Sequence, residues 1–108
     1  MTTNIIVTLQ VEGFHWYAGA DAEVAFLASK HRHIFYITAK KQVSHSNREI
    51  EFISLKREML NHLQLEYGSP CEFGGLSCEM IADKLVNKFG LSYCSVMEDN
   101  ENGAEVVL

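Results

Sequence analysis

Between residues 4 and 12 apolar and polar side chains alternate. Ile5, Val7, Leu9 and Val11 fall on one side, Thr8, Gln10 and Glu12 on the other. A period of two is that of a strand with one buried face. Residues 18–29 hold Ala, Glu, Val, Phe and Leu without a clear period and predict a short helical turn or a loop. Residues 33–43, rich in Ile, Phe, Tyr, Thr and Val, predict a second strand, Ser44 to Arg48 a polar turn, and Ile50 to Phe52 a further extended stretch. From Phe52 the period changes: Phe52, Leu55, Met59 and Leu63 recur every three or four residues, one face of a helix. Gly, Ser and the single proline between Tyr67 and Gly75 mark a loop. A second helix follows, with Ser77 as N-cap, Glu79 in the first turn, Ile81, Leu85 and Phe89 as the apolar stripe, and Gly90 just past its end. Tyr93 to Met97 predicts a third strand, Asp99 to Gly103 a turn, and Ala104 to Leu108 a fourth strand.

The order strand, strand, helix, helix, strand, strand predicts an α+β fold. Its simplest packing is a four-stranded antiparallel sheet with both helices on one face, as a single domain over residues 1–108. Two helices leave the other face and the strand edges uncovered, which predicts a homo-oligomer.

Charge and cysteine content narrow the function classes. The formal net charge is −5, with 9 Lys and Arg against 14 Asp and Glu. A phosphate backbone is held by basic side chains, so this balance argues against nucleic acid as a partner. No stretch approaches the roughly 20 apolar residues of a membrane span, and the N-terminus lacks the pattern of a signal peptide. The three cysteines form no CxxC pair. That argues against a disulfide framework or a cysteine-based zinc site and points to a reducing, cytoplasmic setting.

Five histidines raise the question of metal. His31-Arg32-His33 opens the second strand, and residues i and i+2 of a strand share a face. His15 follows the first strand. If the two strands pair antiparallel, the end of one lies near the start of the other, and three imidazoles reach one place. Three imidazoles with a fourth position open is a catalytic zinc arrangement. Spacing alone leaves packed or surface imidazoles open as well. Trp16 and Tyr17 beside His15 either stack on a planar ligand or pack the strand end.

Taken in order, several segments resemble the 6-pyruvoyl-tetrahydropterin and 6-carboxytetrahydropterin synthases. Phe14-His15 and His31-Arg32-His33 resemble that family's first metal histidine and its HxH pair. Ile50 to Lys56 is similar to its acidic-Phe entry to the first helix, and Leu76 to Ala82 to the opening of its second. Val96-Met97-Glu98, with Ala104-Glu105-Val106 behind it, resembles the Glu-containing turn before the last strand. The resemblance implies the tunnelling fold, in which subunits with four-stranded antiparallel sheets and two helices assemble into a ring. It also implies zinc on His15, His31 and His33, and Glu98 as the carboxylate that anchors a pterin-like or purine-like ring by accepting two parallel N–H bonds. Read as a residue alone, Glu98 is one more acid in a polar turn.

Two departures bear on chemistry. The family's proton-abstracting cysteine stands four residues before the HxH pair, where this chain has Leu27. The family's Asp-His pair after the first helix has its nearest counterpart in Asn61-His62, which makes His62 the candidate catalytic histidine or else a surface residue of the helix. The expectation is therefore a zinc protein that acts on, or only binds, a pterin-like heterocycle, with lyase chemistry of the synthase type impaired. The alternative is a non-catalytic oligomeric binding or structural protein.

Overall fold

In the computed structural model, which describes residues 1–108, the alternating N-terminal segment forms β1, Thr3–His15. Residues 31–43 form β2, His31–Val43, antiparallel to β1 along its whole length, from Thr3 opposite Val43 to His15 opposite His31. The connection between them contains a 3-10 segment, Ala22–Ala28, with no buried residue. Helix α1, Phe52–Tyr67, begins where Glu51 caps it by accepting the Ile53 N–H at 3.1 Å. It ends at Gly68, whose φ of 88° lies in the region that only glycine enters freely. A short strand β3, Cys71–Gly74, follows. Helix α2, Cys78–Phe89, is capped by Ser77 Oγ, which accepts the Met80 N–H at 3.1 Å, and closes on left-handed Gly90. Strands β4, Tyr93–Glu98, and β5, Asn102–Val107, complete the chain.

The class is α+β, but the sheet differs from the expected one. It has five strands in the order β3-β1-β2-β4-β5, and it is mixed, because β3 runs parallel to β1 while every other pair is antiparallel. The four-stranded antiparallel sheet with the order ββααββ is thereby overturned. The added element is β3, four residues long in the Gly/Pro stretch read as loop. It contacts β1 only from Gly13 to His15, with a bulge between Phe14 and His15. There are also three helical segments, counting the 3-10 turn.

The two long helices pack on one face of the sheet. Leu55, Met59 and Leu63 of α1 and Ile81, Leu85 and Val86 of α2 meet Val7, Leu9, Phe35, Ile37, Cys94 and Val96 of the strands. Burial of each large apolar side chain contributes roughly 1.5–3 kcal/mol. Phe52, expected to start the apolar stripe of α1, is instead exposed at the helix entrance. One glycine is fixed by close approach. A Cβ on Gly13 would lie 2.7 Å from the Phe73 ring, so the absence of a side chain lets β3 close on β1 two residues before His15. No helix is long and apolar enough to cross a membrane.

Candidate metal centre

His15 ends β1, and His31 and His33 open β2. Because His15 stands opposite His31, and His31 and His33 share a face, all three imidazoles emerge on the helix-bearing side of one end of the sheet. Glu98, the last residue of β4, lies opposite Phe35 on β2 and reaches the same place. Phe35 is fully buried and forms the floor, with its ring centroid 5.2 Å from that of His15 and 5.8 Å from that of His33.

Each imidazole is held through Nδ1. His15 Nδ1 donates to the Leu76 carbonyl at 3.0 Å and His31 Nδ1 to the Ser29 carbonyl at 2.8 Å. A carbonyl only accepts, so the proton sits on Nδ1 and Nε2 carries the lone pair. His33 Nδ1 donates to Asp99 Oδ2 at 2.7 Å. Asp99 is itself fixed, with Oδ1 accepting the Ile34 N–H at 2.9 Å and its own N–H donating to the Ile34 carbonyl at 2.8 Å. The His33 hydrogen bond holds the Asp99 carboxyl below the usual carboxylate range, with the Ile34 amide adding to the effect.

The three Nε2 atoms are buried and have no hydrogen-bond partner. Together with a Glu98 oxygen they all lie within 4.8 Å of one another. Glu98 Oε2 is 2.7 Å from His15 Nε2 and 3.6 Å from His33 Nε2. With the His15 proton on Nδ1, the shorter separation sets a carboxylate oxygen against the Nε2 lone pair, a contact that a cation between them relieves. Two donors on one zinc, each about 2.0–2.1 Å from it, sit roughly 3.3 Å apart in tetrahedral geometry, a value between the 2.7 and 3.6 Å separations of Glu98 from the two imidazoles. Unpartnered buried nitrogens cost about 1–3 kcal/mol each, and one cation satisfies all three. The group His15, His31, His33 and Glu98 could hold a metal ion. The Nδ1 bonds to carbonyl and carboxylate are the supports that metal-bound histidines normally have.

A pocket of about 510 Å³ opens over the group. His15, His31 and Glu98 form its base, and Trp16, Tyr17, Leu27, Leu76 and Met80 give it apolar walls. Leu27 therefore faces the pocket from the position where the resemblance has a thiol, and its carbonyl ties the segment down by accepting the Tyr17 N–H. His62 lies elsewhere. It sits on α1 with its ring 5.5 Å from that of Phe89, and it is neither in the pocket nor in the metal-binding group.

Two neighbours of the site were missed in the sequence. Asp99 supports His33 from the turn after β4, where it takes a left-handed φ of 53°. Its only sequence signal was an acid beside Glu98. Cys78 opens α2 and lines the pocket. Burial, with the Glu98 carboxylate beside it, pushes its thiol up to about 12, so it stays protonated at neutral pH and is no ready nucleophile.

No protein-family model matches this chain, and no curated protein does.

Proposed function

We propose that this chain is a zinc-binding protein whose pocket takes a planar, pterin-like or purine-like heterocycle over the metal, in chemistry akin to that of the 6-pyruvoyl-tetrahydropterin synthases it resembles. The observation that carries the reading is the convergence of three unpartnered Nε2 atoms and a carboxylate, with His15, His31 and Glu98 of that group forming the base of an apolar-walled pocket. Three nitrogens and one oxygen suit zinc in number and type. Bound zinc would supply a Lewis acid for a ligand oxygen.

The remaining roles belong to the chain. His15, His31 and His33 present fixed lone pairs. Glu98 offers Oε2 as a fourth donor until a ligand oxygen takes that place, and its carboxylate then accepts an N–H from a ring edge. Trp16, partly covered, and Tyr17, more exposed, line the pocket and offer faces for stacking. Leu27 in place of a thiol, with Cys78 held neutral, leaves the thiol route for moving protons without its base. The reading therefore favours binding over synthase turnover.

Trp16 is the only tryptophan and lines the pocket, so its fluorescence reports occupancy. Titrating neopterin or guanosine into zinc-loaded protein should quench it saturably, and a His31→Ala/His33→Ala variant should show no such change. Equal quenching in both would remove the metal from the binding event. No quenching in a zinc-loaded parent, checked by calorimetry, would remove the heterocycle.

A further inference from the structure

The pocket has an electrostatic character that restricts its ligand. Two carboxylates, Glu79 and Glu98, line it, and no Lys or Arg does. The three stretches that supply its lining run from residue 16 to 27, 75 to 80 and 98 to 103. They carry two, one and three acidic residues respectively and no Lys or Arg. The basic side chains that flank His31 in the sequence are directed elsewhere. Lys30 pairs with Glu72 at 2.9 Å and lies 4.8 Å over the Phe14 ring, and Arg32 pairs with Glu12. Phe14 and Arg32 stand opposite each other and, one residue out of phase with His15 and His31, point to the other face of the sheet.

The acidic lining does not stand alone. His15 is 7% exposed and directs an unpartnered Nε2 into the same base, so the pocket has a place for a ligand or ion as well as a charge. That base sits deep, whereas Glu79 lines the same pocket and is exposed. A ligand that reaches the metal with one end leaves its other end beside Glu79 and no basic side chain. Walls of one sign focus the field and select against ligands of that sign.

We propose that the pocket selects an unphosphorylated nitrogen heterocycle, neutral or protonated and carrying N–H donors, and rejects the phosphate esters of the same ring system. The inference rests on the metal-and-heterocycle reading above. It sets this chain apart from any enzyme whose substrate is a nucleotide or a pterin phosphate. The carboxylates accept ring N–H groups, and a phosphate dianion at the opening finds no basic side chain to hold it.

The test compares guanosine with guanosine 5′-monophosphate, and neopterin with its monophosphate, on protein loaded with one equivalent of zinc and freed of excess metal. Affinity is read by Trp16 quenching and calorimetry at low ionic strength. The unphosphorylated member of at least one pair should bind tenfold or more tightly than its phosphate. That ratio should shrink at high salt and in a Glu79→Lys variant. Phosphates that bind as tightly as the parent rings, or more tightly, overturn the inference and leave the heterocycle reading intact. If zinc is retained and no member of either pair binds, both fall together. If zinc is not retained, the metal reading fails first, and the metal measurement alone shows it.

Discussion

Asp99 offers the sharpest test of how the centre is built. It supports the candidate metal group by a 2.7 Å bond to His33 Nδ1, while its second oxygen takes the Ile34 N–H. Truncation in Asp99→Ala removes the acceptor that keeps the His33 proton on Nδ1. Nε2 then shares the proton between tautomers, and the ring is freer to turn. Loss of such a support costs about 10- to 100-fold in metal affinity, or roughly 1.4–2.8 kcal/mol. Asp99→Asn should lose less, because the amide oxygen still accepts from one partner. Zinc affinity is measured by competition with a chromogenic chelator, and circular dichroism confirms the fold. An Asp99→Ala protein that holds zinc within twofold of the parent would refute the idea that His33 depends on this support. The same pair gives an acid signature. Asp99 has a lowered carboxyl pKa in the folded chain, so the folded state binds fewer protons there than the unfolded state. Its contribution is present above the ordinary carboxylate range and is lost as pH falls through the lower folded value. Acid unfolding of the metal-free Asp99→Asn protein should therefore begin at higher pH than that of the parent, and identical acid transitions would contradict the assignment.

Other consequences are direct. Gly103 faces Met97 across the β4–β5 pair, and a Cβ there would lie 2.0 Å from the Val96 carbonyl oxygen and 2.6 Å from Met97 Cα. Gly103→Ala should therefore cost on the order of 2–3 kcal/mol, lower the melting temperature by about 10 °C and weaken zinc by shifting Glu98. An unchanged melting curve would show that the strand pair has slack. Phe35→Ala removes the floor beneath His15 and His33 and should cost about 3–5 kcal/mol in denaturant unfolding, with zinc affinity falling as well; a loss under 1 kcal/mol would mean the floor does not support the rings. Burial pushes the Cys71 thiol up to about 11 and that of Cys94 to about 12, like Cys78. None of the three should react with a thiol reagent in native protein near pH 8, and all three should react in denaturant. Fast native labelling would show that the burial is wrong.

The sequence made parts of this molecule readable for local reasons. The alternation of β1, the Ser77 cap and the Gly90 stop each depend on residues close together in the chain, and each element lies where its pattern placed it. The meeting of His15 with His31 required only the assumption that β1 pairs antiparallel with β2, and the register bears it out. β3 was hidden because four residues beside two glycines carry no period, and its parallel pairing with Gly13 to His15 is a contact across more than fifty residues. β5 begins at Asn102, earlier than expected, because left-handed Asp99 and Asn100 make the preceding turn tight, closed by the Glu101 N–H on the Glu98 carbonyl at 3.0 Å. Hydrophobic pattern carries no information about left-handed backbone at Asp and Asn. For the same reason the support of His33 by Asp99 could not be read before the turn was known. Cys78 follows the Ser77 cap directly, but its approach to Glu98 depends on how that helix lies against β4.

Elemental analysis of protein made without a histidine tag, beside a folded His31→Ala/His33→Ala variant, decides whether three histidines of β1 and β2 hold a metal. The parent should carry close to one zinc per chain and the variant almost none. A folded parent that holds no metal, even after zinc is added and the excess removed, would contradict the metal reading.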